Sequence, residues 1–204
     1  AAGQMGDALN AINLGSVGGA AVELSADSTP YGFFAKFDKD GKYQWVRQLE
    51  GGHSAIRGIA VAEPLDDDGE PVRDVDGEPV RDVYIVGGIK GSDVIFTGPG
   101  NTSITLENSG DGEDDGAGGL VYKEDGFFAK YDTNGVPQWA NLIGNPDEFV
   151  QISGVAVDSS DDVYITGIAS GSTKIFDTTY GTPLKATAVG VGDLHTCALL
   201  KNGD

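Results

Sequence analysis

Cysteine is nearly absent from this chain, and a single thiol, Cys197, cannot form an internal disulfide. Set between apolar neighbours in HTCALL, it reads as a small hydrophobe rather than a nucleophile. Histidine is almost as scarce: His53 and His195 are the whole supply of imidazole for a base. Gly52-His53-Ser54-Ala55 lacks the second glycine of a nucleophile elbow, so serine-histidine hydrolysis finds little support, and His195 reads as a structural hydrogen-bonding residue. Long apolar runs are missing as well. None approaches the roughly 20 residues of a membrane-spanning helix, and no charged-then-apolar leader is present, although the opening AAGQ suits a processed N-terminus. Only Ala1 to Leu9 has the look of a short helix.

Positive charge is the other shortage. Thirteen Lys and Arg face 32 Asp and Glu, a net charge of −19 at pH 7. Such a surface repels phosphate backbones and anionic lipid, which argues against nucleic-acid binding and membrane insertion. It suits a saline or calcium-containing medium, and the expected location is extracellular or at the cell surface.

Glycine, by contrast, is abundant. The 32 glycines fall between short apolar runs without a triplet period, a pattern of many tight turns and not of collagen. The runs also recur. Tyr31 to Leu49 reads YGFFAKFDKDGKYQWVRQL and Asp125 to Ile143 reads DGFFAKYDTNGVPQWANLI, aligned without a gap so that Trp45 falls on Trp139. Gly58 to Val61 (GIAV) matches Gly154 to Val157 (GVAV), and Val83 to Gly87 (VYIVG) matches Val163 to Gly167 (VYITG). These β-branched and aromatic runs, bounded by Gly or by Asp-Gly and Asn-Gly, predict a four-stranded antiparallel meander in each repeat.

The second repeat is longer than the third between GIAV and VYI, and the excess is two octapeptides. Asp68 to Val75 and Asp76 to Val83 both read DGEPVRDV. A tandem copy of this kind predicts an acidic, proline-bearing surface loop, tolerated because loop closure entropy grows slowly with length. Variable segments Asn10 to Leu24, Asp93 to Leu106 and Thr173 to Leu184 precede FFAKFD, FFAKYD and CALLKN, so three phases of one unit are present. Gly110 to Gly119 (GDGEDDGAGG) reads as a mobile loop.

The order GIAV, VYITG, GFFAKYDTNG, QWA resembles the seven-bladed β-propeller repeat family. Gly192 to Gly203 (GDLHTCALLKNG) resembles instead a regulator-of-chromosome-condensation-type propeller repeat. Both resemblances imply an all-β fold of four-stranded antiparallel blades, here an incomplete ring: residues 1–50 a partial blade, 51–144 a complete blade with acidic insertions, 145–204 a partial blade. Neither implies one activity. Ile59, Val61, Val83, Ile85, Phe127, Trp139, Val155, Val157, Val163 and Ile165 are the expected core, and recurrence of Trp45 and Trp139 predicts packing between neighbouring blades.

The acidic turns invite a metal reading. Asp38-Lys39-Asp40-Gly41 begins like an EF-hand loop, but Tyr43 stands where glycine is required and Leu49 where the bidentate glutamate belongs. Hairpin-turn chemistry accounts for Asp38, Asp40, Asp132 and Asn134. The denser clusters are Asp66, Asp67 and Asp68; Asp111, Asp114 and Asp115; and Asp158, Asp161 and Asp162. They admit two readings, solvated loop charge or a weak calcium site of the extracellular kind. No glycine-rich stretch is followed by Lys-Ser or Lys-Thr, which excludes a P-loop. Asn101-Thr102-Ser103 is a glycosylation sequon in an expected loop.

Without a convergent acid, base and nucleophile, the expected function is a non-enzymatic extracellular module that binds or assembles. Its partners are further blades of a longer parent chain or copies of itself, in a ring or filament. The alternative is a propeller fragment of a secreted carbohydrate-active enzyme whose catalytic residues lie elsewhere.

Overall fold

The computed structural model describes residues 2–4, 12–17, 20–24, 30–107, 113–114, 116, 120–121, 123–144, 149–170, 174–177, 188–192 and 195–200. The fold is all-β and antiparallel, and its sheets do not close into a barrel. No helix among the described residues is long and apolar enough to cross a membrane.

The chain opens with β1 (Ala2–Gln4), where a short helix was expected, and continues through the hairpin β2 (Ile12–Val17) and β3 (Ala20–Leu24). β1 adds to the edge of β4 (Gly32–Phe37), which pairs with the first part of β5 (Tyr43–Ala62). These strands make the first blade. At Gly51 (φ 95°), where the register shifts, β5 bends out of that sheet and becomes the inner strand of the second blade. Positive φ of this size favours a residue without a Cβ.

The second blade takes up β6 (Asp82–Thr97), whose far half forms a hairpin with β7 (Ser103–Leu106). β8 (Glu113–Asp114), within the tract read as a mobile loop, pairs with β9 (Leu120–Val121) just after it. The meander then closes with β10 (Asp125–Tyr131) and β11 (Pro137–Gly144), giving the order β5, β6, β10, β11 that the repeats predict. In the third blade β12 (Val150–Val157) and β13 (Val163–Ala169) are the inner pair. β14 (Lys174–Asp177) returns to the outer edge of the second blade, while β15 (Ala188–Gly192) and β16 (His195–Leu200) complete the third.

Register repeats as faithfully as sequence. Ala35 opposes Val46 and Lys36 opposes Trp45, as Ala129 opposes Ala140 and Lys130 opposes Trp139, with a bulge after the lysine in both. The inner pairs share a second bulge, between Ile56 and Gly58 and between Ile152 and Gly154. Gly58 and Gly154 also meet each other: a Cβ on Gly58 would lie 2.8 Å from Val86 and 3.5 Å from the Gly154 Cα, so larger residues would push the two inner strands apart. Cys197 pairs in register with Thr166 on β13.

Strand alternation divides the core in two. Val83, Ile85, Phe127, Ala129, Tyr131, Ala140 and Leu142 face the first blade, joining Phe34, Leu49, Phe96 and Trp45. Tyr84, Val86, Phe128 and Ile143 face the opposite way, onto Val150, Ile152, Val163 and Ile165 of the third blade. Trp45 packs edge-on to Phe34 at 5.6 Å and Trp139 edge-on to Phe128 at 5.5 Å, each filling the forward face of its blade. Two expected core residues are corrections: Ile59 is 39% and Val61 58% exposed. Both face the first blade at a level where β1, which pairs Gly32 to Phe34, supplies no cover. Trp139, Val155 and Val157 are half-buried and the remaining expected core residues are buried.

The octapeptide insertion is a short ladder of stacked turns. Val72 N–H donates to Pro64 O at 2.9 Å and Val80 N–H to Val72 O at 2.8 Å, so each copy returns the backbone one rung over from where it began. Deleting Asp74–Arg81 puts Arg73 before Asp82 and restores the Arg-Asp junction, so urea unfolding should show a stability change below about 1 kcal/mol. Phe127→Ala, by contrast, should cost about 3–5 kcal/mol. Loss of cooperative unfolding in the deletion would mean that the ladder braces the blade.

Candidate functional site

The acidic turns gather at one end of the blades, and one local geometry recurs in five of them. In turns starting at Asp38, Asp66, Asp74, Asp132 and Asp158, Oδ1 of that first aspartate accepts N–H groups two and four residues on, at 2.8–3.0 Å. The fourth residue is left-handed in each: Gly41, Gly69, Gly77 and Gly135 at φ 74–81°, and Asp161 at φ 64°. These carboxylates cap their own backbone, a standard aspartate use in turns. The outer oxygen is engaged in three: Gln44 donates to Asp38 at 3.2 Å, Gln138 to Asp132 at 3.5 Å, and the Tyr164 hydroxyl to Asp158 at 2.9 Å.

Each proposed cation ligand can be placed on that frame. Asp66, Asp67 and Asp68 are exposed in the first rung of the ladder. Asp158 holds the β12–β13 turn, with Asp162 half-buried beside it. Asp114 lies in β8, and Asp111 and Asp115 fall outside the described residues. Among the described residues no three His, Cys, Asp or Glu side chains are arranged to hold a metal ion.

Asp161 does something else. It occupies the left-handed position that glycine fills in the other four turns, a conformation disfavoured for a residue with a Cβ. From there Oδ2 takes the Lys130 ammonium at 2.7 Å and Oδ1 accepts the Tyr84 hydroxyl at 2.6 Å. Asp82 holds the same lysine at 2.8 Å, and the ammonium lies 5.2 Å from the Tyr84 ring centre. The cluster ties the second blade to the third. Burial opposes the Lys130 charge, but its bonds to Asp161, Asp82 and Tyr84 outweigh that and hold it above the ordinary lysine range. Burial, then the bond to Asp161, raises Tyr84 likewise.

Sequence reasoning passed over Lys130, Tyr84 and Asp82, although a signal was there: Lys36 and Lys130 are repeat equivalents, and both VYI runs follow an aspartate, Asp82 and Asp162. The first blade is tied to the second differently. Arg47 donates to Gly135 O and Asn134 O at 2.7 Å each, and Trp45 Nε1 to Thr133 O at 3.3 Å. Lys36, exposed, reaches Thr133 O at 3.3 Å.

Beside Lys36 lies a groove of about 350 Å³, lined among others by Phe34, Phe37, Trp45, Ile59, Val61 and Arg81. At the opposite end of the second blade Arg57 pairs with buried Glu124, through one hydrogen bond at 2.9 Å and an ionic contact at 2.5 Å, with Lys90 at 3.9 Å. Ser54 is fully buried, its hydroxyl accepting the Gly32 N–H at 3.0 Å. The side chain of His53 is half-buried and that of His195 lies outside the described residues. Compared with known proteins, the chain matches no family model and no curated protein.

Lys130→Met would leave Asp82 and Asp161 facing each other without a cation, and should cost about 3 kcal/mol in urea unfolding. Lys36→Met, at the exposed equivalent position, should cost less than about 1 kcal/mol. Equal effects would show that Lys130 is not an interblade tie.

Tyr131 generates a pH prediction. Its hydroxyl is buried without a hydrogen-bond partner among the described residues, and burial raises its pKa well above the tyrosine norm. With Tyr84, Tyr131 and Lys130 all raised, the folded state keeps protons that the unfolded chain loses near pH 10, so stability is full below about pH 10 and falls above it. Tyr131→Phe, which copies Phe37 at the equivalent position, should leave neutral-pH stability unchanged or higher and make the alkaline loss shallower. An unchanged alkaline slope in melts from pH 8 to 11 would contradict this.

Proposed function

We propose that the chain is a non-enzymatic β-repeat module acting outside the cell, which works by joining its blade stack to further blades, in a longer parent chain or in copies of itself. One observation supports the reading above others: where the exposed large apolar side chains lie. Leu65 and Val75 belong to the octapeptide ladder, but Phe37, Ile59 and Val61 flank the first blade, and Tyr164 and Ile168 lie on the third. Among the described residues the strands of the second blade, with a neighbour on each face, carry such residues only at the Ile59–Val61 level, where the first blade's cover stops. Tyr84, the repeat equivalent of Tyr164, is 1% exposed because the third blade covers it, whereas Tyr164 is 38% exposed. Uncovered apolar surface at two different places favours heterologous contacts, which give rings when the rotation closes and filaments when it does not.

Light scattering on size-fractionated protein over a hundredfold range of concentration tests this. The expected result is mass above 21.1 kDa that rises with concentration and falls on Ile168→Lys. A monodisperse 21.1 kDa monomer at all concentrations, unfolding cooperatively, would overturn the reading.

A further inference from the structure

The glycosylation sequon Asn101-Thr102-Ser103 is left unused by the function proposed above, and it is the only such tripeptide in the sequence. The fold carries it to the tip of the β6–β7 hairpin, where Pro99–Asn101 form a single 3-10 turn and Ser103 opens β7. All three sequon residues are exposed. A Cβ added at the neighbouring Gly100 would meet nothing within 4 Å, so the space around the tip is open.

The bonds that hold this tip come from other groups. The Thr102 N–H and hydroxyl both donate to Pro99 O, at 3.2 Å and 2.8 Å, and the Gly98 N–H donates to Thr102 O at 2.8 Å. Among the described residues neither the Asn101 carboxamide nor the Ser103 hydroxyl has a hydrogen-bond partner. The five aspartate-led turns differ, because there the first side chain binds its own backbone. Asn101 has a left-handed backbone, φ 63°, which asparagine tolerates, and its carboxamide stands outside the hairpin's own bonding.

Resting on the extracellular setting proposed above, we infer that Asn101 is the attachment site of an N-linked oligosaccharide. The donor is an oligosaccharide carried on a lipid pyrophosphate, and the reaction belongs to a membrane transferase. Asn101 Nδ2 forms the bond to the anomeric carbon of the first sugar as the bond from that carbon to the pyrophosphate oxygen breaks. The lipid pyrophosphate leaves with the electron pair, and a base of the transferase takes the proton lost from Nδ2. Ser103 supplies the hydroxyl that the sequon requires two residues on. The finished hairpin accommodates the sugar without rearrangement, since its own bonds use neither of these side chains.

Cell-free synthesis of the full chain behind a cleavable secretory leader, with endoplasmic-reticulum microsomes, tests this on the translocated, protease-protected fraction. The readout is digestion with peptide N-glycosidase in heavy-oxygen water, followed by mass spectrometry of the tryptic peptide from Gly91 to Lys123. The expected result is a glycosylated chain that the glycosidase converts to one with heavy-oxygen-labelled aspartate at position 101. Ser103→Ala should abolish the modification and leave the urea midpoint of the bacterially made protein unchanged, because Ser103 is exposed and unbonded among the described residues. Ser103→Thr should retain it. A translocated chain without sugar, or sugar that persists in Ser103→Ala, would overturn the inference. A chain that carries no sugar yet self-associates would end this inference and leave the assembly reading standing. A glycosylated chain that stays monomeric at every concentration would do the reverse.

Discussion

A sheet whose strands carry large apolar side chains on both faces is stable in water only when a neighbour covers each face. The second blade meets that condition over most of its area: Phe127 and Ile85 are buried against one neighbour, Phe128 and Val86 against the other. Everything else in the molecule is arranged around this two-sided cover. The bend at Gly51 passes one strand from sheet to sheet, and the Gly58–Gly154 contact lets inner strands approach. The polar ties at the turn end, Arg47 to the β10–β11 turn and Lys130 to Asp161, set the positions of adjacent blades where hydrophobic packing alone is non-directional.

The same logic explains why a strongly acidic chain does not gather three carboxylates into one group among the described residues. Many of the aspartates serve the hairpins. A carboxylate accepting two backbone N–H groups of its own turn has a local partner, and successive turns on different blades keep their carboxylates apart. Asp161 is the informative exception, because its left-handed backbone replaces a glycine and its side chain reaches another blade. The octapeptide ladder is likewise acidic and exposed, and its return geometry allows it to lengthen without moving β5 or β6.

Uncovered surface is the counterpart of that two-sided cover. Where the pairing of β1 stops, Ile59 and Val61 are exposed; where the third blade's forward face begins, Tyr164 and Ile168 are. Equivalent positions such as Val61 and Val157, or Tyr84 and Tyr164, thus differ in burial through what stands beside them, and a repeat protein makes the comparison internal.

Fold class, strand order, hairpin turns and the interblade packing of Trp45 and Trp139 were legible in the sequence, because each depends on local chemistry or on a repeated pattern. Period-two alternation, Asp-Gly turns and recurring aromatics act over a few residues and keep their meaning wherever they occur. Burial of Ile59 and Val61 was not legible, since it depends on a strand from another blade at one level of the stack. Nor was the role of Asp161, which looked like one more acid in a cluster until β12 and β13 brought it to Lys130, 31 residues away in sequence. Local pattern decides which residues form strands and turns. Only the tertiary structure decides which faces meet, because non-local contacts are set by how whole sheets stack.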